Sequence, residues 1–215
     1  MTDAFQKMDK MYRHQRYFYD FTRKYYLLGR DQLIEKLNVK GDENILEIGC
    51  GTARNLMILA RKYPAANFYG LDASAAMLET ARKKIEARNI ENITLKNVLA
   101  GDINYQKTFE LTEPFDTIYF SYSITMIPNW KEAIANALEN LKSRRSFYIV
   151  DFYDQRDLSA PFRKVLQSWL KMFDVIYPKD LMPHLESLER LSSGKLSVTS
   201  IYKSYAFIAE FEKNG

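Results

Sequence analysis

The chain has 215 residues, of which 47% are hydrophobic and 27% charged, the proportions of a soluble globular protein. Such a length suits one domain with an elaboration, and it buries about 70% of the unfolded surface, enough to fold without staples. The lone cysteine, Cys50, excludes a disulfide framework and favours a reducing compartment, and only two histidines accompany it, so no metal site is expected.

The net charge of +4 is modest, but its distribution is not even. Residues 1–30 hold seven basic residues (Lys7, Lys10, Arg13, Arg16, Arg23, Lys24, Arg30) and three acidic ones, so the whole excess lies there and the remainder is balanced. No apolar run approaches the roughly 18–20 residues that cross a bilayer. The opening MTDAFQKMDK has no apolar core, so it is not read as a signal peptide and a cytoplasmic location is expected.

Residues 2–38 read as helical, broken in two at Gly29. Phe5, Met8, Tyr12, Tyr19 and Tyr26 recur at helical spacing, with Met11, Phe18 and Tyr25 in a second row. From Asn44 the pattern changes. NILEIG reads as a buried strand with a glycine turn, ARNLMILARKY as a helix and NFYGLD as a second strand. SAAMLETARKKIEAR is a second helix, opened by Ser74 as N-cap. ITLKNVLAGD supplies a third strand, FDTIYFSYS a fourth, Asn129 to Lys142 a helix and SFYIVDFY a fifth strand. Strands alternating with helices predict an α/β fold: a Rossmann-like, doubly wound and mostly parallel sheet. Residues 157–190 look helical with interruptions at Pro161, Pro178 and Pro183. KLSVTSIY and SYAFIAEF then predict a closing antiparallel pair. The expected organisation is a helical lid over 1–38 and a cofactor-binding domain over 39–215, with a helical insertion at about 157–190.

The strongest chemical signal is LEIGCGTAR, residues 46–54. Gly49 and Gly51 follow a strand and precede a helix, where glycine lets the backbone turn and approach a ligand closely. Asp72 ends the next strand, where an acidic side chain accepts from ribose hydroxyls. A dinucleotide fingerprint requires a third glycine at the position held by Arg54. Glu47 instead stands just before the loop, and a carboxylate there suits a cationic cofactor better than a pyrophosphate. S-adenosylmethionine (SAM) carries an ammonium and a sulfonium and no phosphate. The pattern E-x-G-x-G-x-A across 47–53 resembles the first motif of class I SAM-dependent methyltransferases, with Ala53 where that family usually has glycine.

The resemblance implies further contacts. Gly101, Asp102 and Ile103 follow the third strand, where the family places an acidic residue on the adenine amino group. Ala73 and Met77 are implied to pack the adenine ring, and Ser121 and Tyr122 to lie beside the sulfonium and methionine portion. Cys50 reads as a small neighbour of the cofactor rather than a catalytic thiol, since no partner is placed to activate it. S-adenosylhomocysteine is the implied product.

The segments MYRHQRYFYDFTRKYYLLGRDQLI (11–34), SYSITMIPNW (121–130) and YKSYAFIAEF (202–211) are similar to the N-methyltransferase of bacterial betaine-lipid synthesis. The similarity implies three methylations of diacylglyceryl-homoserine, and a pathway partner, a 3-amino-3-carboxypropyl transferase. Soluble bacterial phosphatidylethanolamine N-methyltransferases are close relatives of that family. The adenine- and glutamine-methylating motif N-P-P-Y or D-P-P-Y is missing after the fourth strand, which continues S-Y-S-I.

A basic, aromatic helix over residues 1–30 can also lie on an anionic membrane, giving a peripheral contact on its inner face. Proton-accepting candidates are Tyr19, Tyr25, His14 and Asp151, the last expected just past the fifth strand at the cleft mouth. Tyr12, Tyr19, Tyr25, Tyr26 and Tyr122 form a pool for cation–π contact with a methylated head group. Arg30 suits the carboxylate of SAM or of the substrate. Phe162, Leu166, Trp169, Leu170, Met172 and Phe173 are candidates for an opposite wall. Competing readings are a small-molecule N- or O-methyltransferase, a SAM-binding protein without catalysis and, last, an RNA methyltransferase; nucleic acid is not an expected partner because the rest of the chain is neutral.

Overall fold

The structure is a computed structural model that describes residues 27–171, 177–191 and 193–215. The roles read for His14, Tyr12, Tyr19, Tyr25 and Tyr26, and for Met172 and Phe173, lie outside the described residues. Seven strands form one sheet: β1 (Asn44–Ile48), β2 (Asn67–Leu71), β3 (Ile93–Lys96), β4 (Phe115–Ser121), β5 (Leu141–Phe152), β6 (Gly194–Ile201) and β7 (Ala206–Lys213). Their order is β3-β2-β1-β4-β5-β7-β6. The first five are mutually parallel, and β7 runs antiparallel to both β5 and β6. This is the doubly wound, mostly parallel sheet with a closing antiparallel pair that the sequence predicts.

The central strands are near-continuous apolar runs because helices cover both faces. All seven residues of β4 are buried. Among the described residues the α-helices are α1 (Arg30–Lys36), α2 (Arg54–Lys62), α3 (Ala75–Glu86), α4 (Tyr105–Phe109), α5 (Trp130–Glu139), α6 (Ala160–Lys171) and α7 (Leu181–Arg190). One apolar cluster joins Leu33 of α1, Leu56 of α2 and Leu78 of α3 to Phe68, Phe152 and Ile201. The other packs Ile134 of α5 and Leu185 of α7 against Leu46, Phe120, Phe147 and Phe211. Among the described residues no helix is long and apolar enough to cross a membrane.

The helix end before β5 and the expected interruptions at Pro161 and Pro183 differ from expectation for identifiable reasons. The helix expected to reach Lys142 stops at Glu139, and β5 already begins at Leu141. Asn140 terminates it: its amide donates to Ile103 O (3.1 Å) and Asn136 O (2.9 Å), while its Oδ1 accepts from Tyr105 N (2.8 Å). An asparagine that satisfies neighbouring backbone through its side chain competes with helix continuation. Pro161 and Pro183 do not interrupt helices; they are the second residue of α6 and the third of α7, in first turns whose N–H groups have no intrahelical partner anyway. Gly29 does break the chain, taking a left-handed φ of 88° immediately before α1.

Strand order reverses between β1 and β4, since the chain proceeds from β1 to β2 on one side and returns to β4 on the other. The crevice outside the carboxyl ends of those two strands is where open α/β sheets bind ligands. The loop after β1 and the turn after β4 both open there.

Candidate functional site

The start of the loop after β1 is held by backbone bonds to the end of β2. Gly49 N and Cys50 N both donate to Leu71 O, at 2.9 and 3.0 Å. Gly49 has φ 76°, and a Cβ on it would lie 2.5 Å from Ser123 Cβ. Gly51 has φ 53°, yet a Cβ there would meet nothing within 4 Å, so this glycine borders open space. Ala53 also takes the left-handed region, at φ 59°, as N-cap of α2. That conformation costs an L-residue about 1–2 kcal/mol, which explains why a glycine is the usual occupant.

Asp72, at the end of β2, braces this loop. Its Oδ2 accepts from Gly51 N and its Oδ1 from Ser74 N, each at 2.8 Å. Ser74 in turn caps α3, with its Oγ accepting from Met77 N at 3.3 Å. Ala73 is half-buried, and Met77 is buried. Beyond β3, Gly101 is half-buried against Glu132, Asp102 is exposed and Ile103 belongs to the core cluster beneath.

Glu47 is 2% exposed, and its Oε1 accepts from Asn55 Nδ2 at 2.7 Å. Tyr119 stands opposite it in the β1–β4 register. Burial dominates and pushes the carboxyl up to about 8, with the nearby Arg30 cation lowering it and Asp72 raising it. Arg30, at the start of α1, is buried and acts electrostatically on Tyr122 as well.

The turn after β4 supplies the opposite side. Ser121 is 9% exposed, and its Oγ has no hydrogen-bond partner among the described residues. Tyr122 takes φ 55°, packs edge-on against Phe152 with centroids 4.8 Å apart, and donates its hydroxyl to Leu28 O. Ser123 Oγ donates to Ile48 O at 2.7 Å, tying this turn to the end of β1.

The expected position of Asp151 changes. Asp151 lies within β5 rather than past it, and it is fully buried rather than at a cleft mouth. Its carboxylate accepts from Thr125 N, Thr125 Oγ1 and Phe152 N, which makes it a brace for the turn after β4. Cys50 is buried with its Sγ close against Gly70, and burial beside Asp72 and Glu47 holds the thiol well above its usual pKa. Burial thus disfavours the reactive thiolate form.

Sequence reasoning missed Asn55, Tyr119, Ser123 and Thr125. Asn55 alone carried a signal, as a polar residue among Leu56, Met57 and Leu59 in the first turns of α2.

A buried carboxyl awaiting a cation, an unsatisfied hydroxyl on Ser121, open space over Gly51 and a carboxylate at the end of β2 together fit SAM: they meet a ligand with two cationic centres and ribose hydroxyls. The strand order and the loop arrangement define a Rossmann-like methyltransferase fold. The family model described as "Methyltransferase domain" matches residues 39–207, and the chain belongs to that family, whose methyl donor is SAM.

Relatives agree on the class. The chain is 32% identical over 98 residues to a trans-aconitate 2-methyltransferase of Deinococcus radiodurans, covering 46% of this chain and 33% of that protein. It is 27% identical over 128 residues to a demethylmenaquinone methyltransferase of Geobacillus sp. (strain WCH70), covering 59% and 52%. The chain thus spans from a third to about half the length of these curated relatives. Among solved structures, the plantazolicin methyltransferase BpumL, bound to a substrate analogue and SAH, superposes with TM-score 0.73 at 14% identity over 100% of this chain and 98% of its own. A SAM-dependent methyltransferase from Aquifex aeolicus gives TM-score 0.64 at 14% identity, covering 88% and 92%. At that identity both speak for the fold.

Proposed function

We propose that this chain is a SAM-dependent N-methyltransferase acting on the amine of a lipid head group, with diacylglyceryl-homoserine as acceptor and the trimethylated betaine lipid as product. The observation that carries the reading is the bond from the Tyr122 hydroxyl to Leu28 O. It fixes Leu28, which follows the basic, aromatic stretch of the sequence, beside the turn after β4. The tyrosines and basic residues that the sequence carries over 1–30 suit an amino-acid head group that becomes a fixed cation.

SAM, when bound, supplies an activated methyl group. Asp72 is assigned to its ribose, Gly49 and Gly51 to close backbone approach, Glu47 to its cationic end and Arg30 to its carboxylate. Ala73, Asp102 and Ile103 are assigned to the adenine side, and Ser121 and Tyr122 to the methionine side. The protein's part is to align an amine with the methyl carbon and exclude competing nucleophiles. Cys50 is held as a neutral thiol and Asp151 is sealed in the interior, so the acceptor's own proton leaves to water or to a group on the N-terminal segment.

A second reading, transfer to a small soluble acid or a quinone-like acceptor, draws on the matched trans-aconitate and demethylmenaquinone enzymes. Phosphatidylethanolamine is a further candidate acceptor. Incubation with methyl-labelled SAM and vesicles containing diacylglyceryl-homoserine or phosphatidylethanolamine separates these. Label in the homoserine lipid supports the proposal; label confined to soluble metabolites or to phosphatidylethanolamine overturns the assigned acceptor.

A further inference from the structure

Helix α6 carries more apolar surface than the fold covers. Leu166 and Leu170 are buried in the core cluster shared with Phe152 and Ile201. Phe162 and Val165, one turn apart on the adjoining strip, are 52% and 68% exposed. Trp169 continues that strip and is half-buried. Large apolar side chains left open side by side mark an interaction surface more often than scattered single ones do.

A second exposed aromatic stands at the same edge of the sheet. The turn between β6 and β7 places Tyr202, Lys203 and Ser204 consecutively in the left-handed region, with φ 49°, 57° and 57°. Three such residues in succession are strained, and they need external support. That support comes from the segment leading into α6: Gln155 N donates to Ser204 O at 2.8 Å, Tyr153 N donates to Tyr205 O at 3.0 Å, and the Ser204 hydroxyl donates to Asp157. The turn thereby holds Tyr202 outward at 59% exposure, with Lys203 exposed beside it. Gly29 packs on the last residue of β6, since a Cβ there would lie 2.6 Å from Ile201 Cδ1. Gly29, the β6–β7 turn and the approach to α6 therefore converge where the parallel strands end.

The charge at this rim is one-sided. Helix α6 contains Arg163, Lys164 and Lys171 and no acidic residue. Among the described residues Lys164, Lys171 and Lys203 form no ion pair, whereas the neighbouring acids are engaged: Asp154 with Arg156 at 2.7 Å and Asp157 with Ser204. Exposed Phe, Val and Tyr with lysines beside them match the boundary of an anionic bilayer, where rings enter the headgroup layer and ammonium groups meet phosphates.

We infer that the outer strip of α6 and the Tyr202–Lys203 turn form a docking surface for an anionic lipid bilayer, which sets the cofactor crevice against the membrane independently of residues 1–26. The inference deepens the lipid reading above but rests on separate residues. It is tested with the full chain and vesicles of phosphatidylcholine with or without phosphatidylglycerol, measured by co-sedimentation. Phe162→Ser with Val165→Ser should weaken partition to the anionic vesicles by about tenfold, the range expected for withdrawing two apolar side chains. Lys164→Glu with Lys203→Glu should weaken it similarly at low salt and much less at high salt. These side chains are exposed, so SAM affinity by calorimetry should stay unchanged. Wild-type partition of both variants overturns the inference, as does a self-association that the apolar variant abolishes without any vesicle binding. If the variants lose vesicle binding while label from SAM reaches only soluble metabolites, the docking surface stands and the lipid acceptor falls.

Discussion

Asp151 and Thr125 are joined twice over. Thr125 N donates to Asp151 Oδ2 at 3.2 Å, and Thr125 Oγ1 donates to Oδ1 at 3.0 Å. The pair links the last turns of β5 to the short 3₁₀ turn Ile124–Met126 that follows β4. A fully buried carboxylate is tolerated because backbone and hydroxyl donors surround it, with Phe152 N adding a bond at 2.8 Å. Asp151→Asn replaces an acceptor by a donor facing Thr125. It should lower unfolding stability by about 1–3 kcal/mol. Denaturant titration measures that loss. Methyl transfer at low temperature should fall through a raised acceptor KM, with SAM affinity nearly preserved. A loss confined to kcat, with the pH profile altered, would mark Asp151 as a proton acceptor.

The role proposed for Glu47 would couple cofactor binding to protons. Its folded pKa of about 8 lies above the model-compound value of 4.5. The group is protonated in both folded and unfolded states below the lower value. As pH rises toward 8, the unfolded chain releases the proton first, so stability falls across that window and then levels. Glu47→Gln removes the effect and should raise stability at pH 7 by on the order of 2 kcal/mol, with little gain at pH 5. A cationic ligand reverses the preference by drawing Glu47 into its charged form. SAM affinity of the wild type should therefore climb between pH 6 and 8, by up to about tenfold per unit, and climb less in Glu47→Gln. Calorimetry in buffers of different ionisation enthalpy reads the released proton directly. Parallel affinity profiles for the two proteins would remove Glu47 from the cofactor site.

The two loop glycines should fail differently. Gly49→Ala places a methyl 2.5 Å from Ser123 Cβ and 3.0 Å from its Oγ, in a backbone conformation already unfavourable for alanine. It should disturb the Ser123–Ile48 tie and cost about 2–4 kcal/mol of stability. Gly51→Ala meets no protein atom, so its folding cost should be near 1–2 kcal/mol, the left-handed penalty alone. Its methyl instead projects where the ligand is assigned. Thermal melts should rank Gly49→Ala as the less stable, whereas Gly51→Ala should lose SAM affinity by tenfold or more while remaining folded. Unchanged affinity in Gly51→Ala would move the cofactor away from this loop.

The sheet was legible because each buried parallel strand is a compact apolar run between turn residues. NILEI, NFYGL and FDTIYFS need no partner information to be recognised. The cofactor loop was legible for a related reason: glycine is demanded by backbone geometry, and Gly49 and Gly51 both take positive φ. What was not legible depends on distant partners. Asn140 stops a helix through bonds to Tyr105 and Ile103, more than thirty positions away in sequence. Asp151 was expected at the cleft mouth because its position near a strand end was visible and its burial against Thr125 was not. Short α4 lacks enough turns for a periodic pattern to emerge.

Tyr122 offers the sharpest test of the link between the N-terminal segment and the crevice. Its ring is fixed by Phe152, and its N–H donates to Val150 O at 2.8 Å, so the residue stays in place when only the hydroxyl is removed. Burial holds that hydroxyl well above its usual pKa, so it is a neutral donor to Leu28 O at all ordinary pH. Tyr122→Phe should cost about 1 kcal/mol of stability, the net value of one such bond plus an unsatisfied carbonyl on Leu28. The larger effect should fall on the acceptor. Loosening residues 27–29 disturbs the rim beside Tyr122, so KM for the proposed lipid acceptor should rise several-fold with SAM Kd within about twofold of wild type. Amide hydrogen exchange at Leu28 to Asp31 should quicken in the same variant. If acceptor KM is unchanged while exchange quickens, Leu28 is anchored by Tyr122 but takes no part in seating the acceptor.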